Sequence, residues 1–201
     1  LTSMLVLGLT GSIGMGKSTA AEMFRRLGIP VHDADASVHS LFQAGGLAVA
    51  PISRRFPDAV VDGAVDRERL GKIVFGDAAA LRDLEAIVHP LVRRERDRFL
   101  DLQRRARRRA AVLDIPLLFE TGGEDICDYV FVVSAPAFLQ RQRVLARPGM
   151  TAERLSSILK KQMPDGEKRR RADYVLHTGL GRAATVRAIK KILRHLGIRH
   201  A

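Results

Sequence analysis

Gly11-Ser12-Ile13-Gly14-Met15-Gly16-Lys17-Ser18 satisfies the spacing G-x-x-x-x-G-K-[S/T], a pattern that acquires meaning from what flanks it. Before it lies Met4–Leu9, a continuous apolar run of the kind found in strands buried on both faces of a parallel sheet. After it, Thr19 to Leu27 has helical character, with Phe24 and Leu27 placed for packing. A strand, a glycine-rich turn and a helix in this order predict a phosphate cradle. The glycines let the backbone curl so that successive N–H groups point inward at phosphate oxygens. The helix that follows presents its positive end to the same anion. On this reading Gly11, Ser12, Ile13, Gly14, Met15, Gly16, Lys17, Ser18 and Thr19 hold a nucleotide. Lys17 reaches the β- and γ-phosphates, and the Ser18 hydroxyl ligates Mg²⁺. The competing reading, a chance glycine-rich turn, leaves the flanking strand and helix unexplained. The cradle names a ligand and not a reaction, because many unrelated activities share it.

Further along the chain, Pro30–Asp33, Ala111–Ile115, Tyr129–Ser134 and Tyr174–His177 repeat the apolar-run signature. Helical patterns lie between them, so the expected fold is α/β, a doubly wound five-stranded parallel sheet. The final helix is marked by Val186, Ile189, Ile192, Leu193 and Leu196 on one face, with Gly197 as its stop. The interval from Ala36 to Arg109 is too long for a simple crossover and predicts an inserted helical lobe. Leu81, Leu84, Ile87 and Val88 form one stripe, continued approximately by Leu91, Val92, Phe99 and Leu102. Pro90 disfavours helical geometry at His89, so two helices meeting at His89-Pro90 are expected. A second excursion, Ala137 to Arg171, is rich in arginine and lysine and suits a mobile helical pair. The whole is expected to be one domain over residues 4–201, with core segments 4–35, 110–136 and 172–201, an insertion at 36–109 and a lid at 137–171.

With 201 residues and 46% hydrophobic content, the chain is long and apolar enough to bury a core. One cysteine, Cys127, excludes a disulfide framework. No apolar run approaches the roughly 18–20 residues needed to span a bilayer, and no signal-peptide pattern opens the sequence. A cytoplasmic setting is expected. The formal net charge of +12 suits an anionic partner, or arginine placed on solvated helix faces. The runs Arg104-Arg105-Ala106-Arg107-Arg108-Arg109 and Lys168-Arg169-Arg170-Arg171 invite a nucleic-acid reading, but aromatics are only 5%, leaving few stacking platforms. The expectation is a small-molecule substrate, no nucleic acid, no membrane, and a monomer or weak homo-oligomer.

Several side chains suit phosphoryl transfer. Asp33-Ala34-Asp35 ends the second strand, at the sheet edge where ligands collect in open parallel sheets. Extended backbone would put both carboxylates on one face. One of them could take the proton of an attacking hydroxyl or hold Mg²⁺ through water; the competing reading is that Asp35 caps the helix that follows. Asp114 ends the third strand, as a water-mediated Mg²⁺ ligand or an ordinary strand-end residue. Glu120 suits acceptor contact or a helix cap. Gln140-Arg141-Gln142-Arg143, Arg147 and Lys160-Lys161-Gln162 together fit a lid that closes over ATP phosphates.

Gly8-Leu9-Thr10-Gly11, the cradle, Asp33-Ala34-Asp35, Leu84-Glu85-Ala86-Ile87-Val88-His89-Pro90, Pro116-Leu117-Leu118-Phe119-Glu120 and Ala172-Asp173-Tyr174-Val175 occur in the order found in dephospho-CoA kinases. Asp62-Gly63 with Asp66-Arg67, and Ile73-Val74-Phe75, also resemble that family, so the resemblance runs from about Leu5 to about Gly179. It implies ATP- and Mg²⁺-dependent phosphorylation of the ribose 3′-hydroxyl of dephospho-CoA, the last step of coenzyme A synthesis. It implies Asp35 as catalytic base, with Asp33 as the alternative, and Lys17 and Arg143 in the catalytic group. Arg143 and Arg147 match the family's lid arginines near ATP. The first excursion becomes the acceptor-binding lobe, with His89 and Pro90 at its helical junction, and Thr10, Leu117 and Glu120 as further substrate contacts. The sequence departs from the family pattern at Ser12, where glycine is usual, and at Gly45-Gly46, where Pro-Gly is common. It departs again at Pro148, where aspartate is frequent, and at Thr178, where asparagine is usual. A nucleoside or shikimate-type kinase, the nearest rival, predicts a different acceptor lobe and neither the His-Pro nor the Pro-Leu-Leu-Phe-Glu signature.

Overall fold

A computed structural model describes residues 3–198; residues 199–201 of the expected domain lie outside them. In chain order the elements are β1 (Leu5–Thr10), α1 (Lys17–Arg26), β2 (Val31–Asp33), α2 (Ala34–Phe42), α3 (Val49–Arg55), β3 (Val60–Val61), β4 (Ala64–Val65), α4 (Arg67–Val74) and α5 (Ala78–Arg105). There follow β5 (Ala110–Asp114), β6 (Tyr129–Ser134), α6 (Ala137–Leu145), α7 (Ala152–Lys161), α8 (Asp165–Arg171), β7 (Tyr174–His177) and α9 (Arg182–His195). The five expected strands are all present, in the order β2-β5-β1-β6-β7. β1 is central, running parallel to β5 from Leu5↔Ala110 to Leu9↔Asp114 and to β6 from Leu7↔Tyr129 to Thr10↔Val132.

The chain divides into two compact units, one ending at His32 and resuming at Gln103, the other spanning Asp33–Leu102. In the first, alternate residues of the strands face opposite ways, as the strand period requires. Leu7, Leu9, Val112, Phe131 and Val133 face Phe24, Leu27, Ile189 and Leu193 of the α1 and α9 segments. Phe24 meets Phe131 edge to face at 5.5 Å between ring centres. Val130 and Val132 face Leu118, Phe119, Met163 and Ala172. On that side a Cβ at Gly8 would fall 2.8 Å from Cys127 Sγ and 2.9 Å from Leu118, so only glycine lets the 116–127 segment lie on β1. Two carboxylates start strands: Asp128 accepts the Val6 N–H and Asp173 the Val130 N–H, each at 2.7 Å. Each supplies an acceptor where a strand amide would otherwise want one.

The second unit has its own core, built from Leu41, Phe42, Ile52, Phe56, Val65 and Leu70. Its β3–β4 hairpin turns through Asp62-Gly63, both at positive φ, the two-residue turn that matches strand twist. The two helices expected to meet at His89-Pro90 are instead one, α5, with Pro90 inside it. A mid-helix proline costs about 3 kcal/mol through a lost N–H donor and a clash with the preceding turn. Here Leu84, Ile87 and Val88 before it and Leu91 and Val92 after it pack on one core, and a break would split that stripe. Pro90 and Ala86, whose carbonyl loses its partner, are exposed, so water can satisfy the freed group. The expected helical pair over 137–171 is three helices, because Pro164 caps α8 and separates it from α7.

Candidate active site

The cradle is shaped by its own backbone and held by two neighbouring segments. Met15 N–H donates to Ser12 O at 3.1 Å, closing the turn, and Ser12, the departure from glycine, is accommodated in a buried position. Gly14 adopts φ +76°, and a Cβ there would stand 2.5 Å from Val144, so α6 packs directly on the loop. Helix α1 begins at Lys17, with no side chain capping it and no acidic residue in its first turn. Its first N–H groups have no intrahelical partner and offer themselves to an anion. Ser18 is exposed in that turn and Thr19 half-buried.

Lys17 Nζ meets Asp114 Oδ1 at 2.5 Å, with side chains 16% and 3% exposed. Asp114 is the last residue of β5, paired in register with Leu9, so the sheet itself brings this carboxylate to the cradle. The pairing places Asp114 beside the cradle lysine. Two amide side chains grip Ile13: Gln162 Oε1 accepts its N–H at 3.1 Å and Gln140 Nε2 donates to its carbonyl at 2.9 Å. Arg143 donates to Gly14 O at 3.4 Å, to Thr178 Oγ1 at 3.2 Å and to Thr178 O at 3.1 Å. Thr178 in turn donates to Met15 O at 2.7 Å. The threonine that departs from the family pattern thus braces the cradle. Arg147 is exposed.

Thr10 and Glu120 have partners within the protein. Thr10 is fully buried and donates to Pro116 O at 3.0 Å. Glu120 pairs with Lys168 at 2.9 Å and accepts the Met163 N–H at 2.8 Å, so it caps no helix of its own. Leu117, between them, is 40% exposed. Asp33 and Asp35 do not share an extended face, because α2 starts at Ala34. Asp33, at φ −100° and ψ 111°, is the cap and accepts the Ala36 N–H at 3.0 Å; Asp35, for which capping was the alternative reading, sits in the first turn and is exposed. His89 and Pro90 are exposed on α5. These four belong to the second unit, whereas Lys17, Asp114 and the bracing side chains belong to the first.

Gln140, Gln162, Thr178 and Lys168 carry contacts that the sequence reading did not assign. Gln140 and Gln162 stood inside segments noted for their bases. Lys168 was read as part of a basic run, yet its side chain has no exposure. Nothing in the run of letters marked this lysine off from the arginines beside it.

Burial pushes the Glu120 carboxyl up, but the Lys168 ammonium and the Met163 N–H outweigh it and hold the group below its ordinary value of 4.5. A depressed folded-state pKa stabilises the protein above the unfolded value and loses that stabilisation as pH falls through the folded one. Glu120→Gln is therefore expected to flatten the acid side of the Tm profile. Melts from pH 6 down to about 3 should show the parent losing Tm more steeply than the variant below about pH 4.5. Parallel profiles would contradict this.

The family model for dephospho-CoA kinase matches residues 5–181. The dephospho-CoA kinase of Paramagnetospirillum magneticum is 70% identical over 166 residues, covering 83% of this chain and 78% of that protein. The enzyme of the same name from Mesorhizobium japonicum is 58% identical over 193 residues, covering 96% and 97%. Among solved structures, TT1252 from Thermus thermophilus superposes with a TM-score of 0.83 at 38% identity, covering 96% of this chain and 98% of that one. The match takes in the cradle, Asp114, the Pro116–Glu120 segment and the Arg143–Thr178 brace together, and the chain belongs to the dephospho-CoA kinase family.

Proposed function

We propose that this protein transfers the γ-phosphoryl group of ATP to the ribose 3′-hydroxyl of dephospho-CoA, giving coenzyme A and ADP. The observation that carries the proposal is the cradle itself. A capless helix N-terminus, Lys17 and a strand-end carboxylate converge at one sheet edge in a chain of this family.

In the transfer, the ribose 3′-oxygen forms a bond to the γ-phosphorus as the bond to the β–γ bridging oxygen breaks, and ADP leaves with that electron pair. Lys17 neutralises charge on the β- and γ-phosphates. Asp35 accepts the hydroxyl proton; its exposed carboxylate supports this choice over Asp33, whose Oδ1 is spent on the Ala36 N–H. Arg147 closes over the phosphates, while Arg143 holds Gly14 and Thr178 in place. Residues 137–171 serve as the lid and 36–109 as the acceptor-binding lobe, and His89, Pro90 and Leu117 are assigned to acceptor binding.

The donor set fits Mg²⁺. The Ser18 hydroxyl and the Asp114 carboxylate are hard oxygen ligands, and Mg²⁺ favours one or two protein oxygens alongside phosphates and water. Among the described residues no group of three or more His, Cys, Asp or Glu could hold a metal, so the phosphates would complete the set. Ser18 and Asp114 would hold the ion, which would supply charge neutralisation at the phosphates. No helix among the described residues is long and apolar enough to cross a membrane.

The test is coupled ADP release from purified protein with ATP, Mg²⁺ and dephospho-CoA, with adenosine and shikimate as comparison acceptors. Turnover with dephospho-CoA alone, with coenzyme A as product, is expected. Turnover only with adenosine or shikimate, or none from protein that binds ATP, would overturn the assignment of acceptor.

A further inference from the structure

Among the described residues, Lys168 is the only cationic side chain counted in the buried interior. Its ammonium meets Glu120 Oε1 at 2.9 Å and approaches the Pro116 carbonyl at 3.5 Å. Burying such a pair is a poor route to stability, since two apolar side chains of similar volume commonly do as well or better. The contacts around it supply a geometric reason for the charges.

One arm runs through Glu120. The same Oε1 accepts the Met163 N–H at 2.8 Å, fixing the short link between α7 and α8. The residue before, Gln162, uses its own Oε1 to take the Ile13 N–H at 3.1 Å, inside the cradle. The other arm runs through Pro116, two residues beyond Asp114. Its carbonyl receives both Lys168 and, at 3.0 Å, the Thr10 hydroxyl, and Thr10 directly precedes Gly11. The pair therefore fixes the backbone that enters the cradle and, separately, the side chain that grips its third residue.

We propose that Lys168 and Glu120 are positioning residues for ATP: through Met163 they hold Gln162 on the Ile13 amide and so set the shape of the phosphate cradle. This deepens the kinase reading and rests on it. It also gives Glu120 a task different from the acceptor contact that the family resemblance implies.

Lys168→Met alone strands a buried carboxylate and is a poor probe, because it can simply lower the folded yield. Two double variants remove both charges and differ in one atom's capacity. In Glu120→Gln/Lys168→Met the amide oxygen still accepts the Met163 N–H. In Glu120→Leu/Lys168→Met nothing does. Gln162→Met removes the last link from a half-buried position and leaves the ion pair intact. For each, circular dichroism and Tm establish folding. Calorimetry with ATP and no acceptor gives Kd, and steady-state assays give kcat and both KM values.

Glu120→Leu/Lys168→Met and Gln162→Met are expected to bind ATP roughly five- to tenfold more weakly, the worth of one hydrogen bond to the cradle. KM for the acceptor should stay within about twofold, because a loss confined to the nucleotide site leaves the acceptor's binding unchanged. Glu120→Gln/Lys168→Met should recover most of the ATP affinity at a similar Tm, which a purely stabilising role would not produce. Equal ATP affinity in both doubles would overturn the proposal, as would tighter ATP binding in Gln162→Met. A rise in the acceptor KM with ATP affinity unchanged would return Glu120 to the acceptor site. A parent protein that binds no ATP would sink the kinase reading and this proposal with it; equal binding by parent and variants sinks the proposal alone.

Discussion

Asp35→Asn is expected to lower kcat by about 10²- to 10⁴-fold, the range for removing a general base, while ATP affinity stays within about twofold. The side chain keeps its size and loses only its capacity to take a proton. Asp35 is exposed in the first turn of α2, so the change removes no packing, and Tm should hold to within a few degrees. Asp33→Asn is the informative companion. Asparagine is as good a helix cap as aspartate, so the bond to the Ala36 N–H survives and kcat should fall far less. Steady-state kinetics with dephospho-CoA, together with calorimetric ATP binding, separates the two. Should Asp33→Asn prove the more damaging change, the base is Asp33 and its capping bond is a resting arrangement.

Much of the fold follows from local patterns because the physics is local or uniform. Strands β1, β5 and β6 were legible as largely apolar runs, since a parallel sheet covered on both faces leaves no polar side to alternate with. The cradle was legible because its turn needs glycine, as Gly14 shows by its φ of +76° and its closeness to Val144. What was lost depended on tertiary choices. Pro90 has a strong local rule against it, yet a stripe from Leu84 to Val92 on one core outweighs that rule. At Asp33-Ala34-Asp35 the cap is Asp33, two residues before the Asp35 considered for it, because the chain turns helical at Ala34 and backbone geometry, not residue type, selects between two equally suitable carboxylates.

The basic composition divided in a way that no run of letters announces. Arg169 stays half exposed beside Asp165, and Arg171 lies over the Phe119 ring and pairs with Glu124, while Lys168 between them and the core is sealed. Gln140 and Gln162 were equally hidden. A glutamine becomes a clamp on Ile13 only once α6 and the α7–α8 link are folded against the cradle, and sequence separations of 127 and 149 residues leave no local trace. The position of Lys17 at the start of α1 was readable; the glutamines that hold the cradle in shape were not.

Lys17→Met should abolish measurable phosphoryl transfer, by at least about 10²- to 10³-fold, the effect of losing one donor to developing charge. The structure adds a second expectation. Asp114, 3% exposed on its side chain, would lose the ammonium now 2.5 Å away, and breaking one side of a buried pair costs about 3–5 kcal/mol. At roughly 2–4 °C per kcal/mol for a chain of this size, the Tm of the single variant should drop visibly. Lys17→Met/Asp114→Asn should recover most of that Tm, because an amide carries no charge for the lost ammonium to offset, and should remain inactive, because the phosphates still lack their cation. Differential scanning calorimetry beside the coupled assay reads both effects. A single variant as stable as the parent would mean that Asp114 does not depend on Lys17, and a double variant that regains turnover would remove Lys17 from the chemistry. Recovery of stability without recovery of activity assigns the lysine two separable duties: it stabilises the buried carboxylate at rest and neutralises phosphate charge in the reaction.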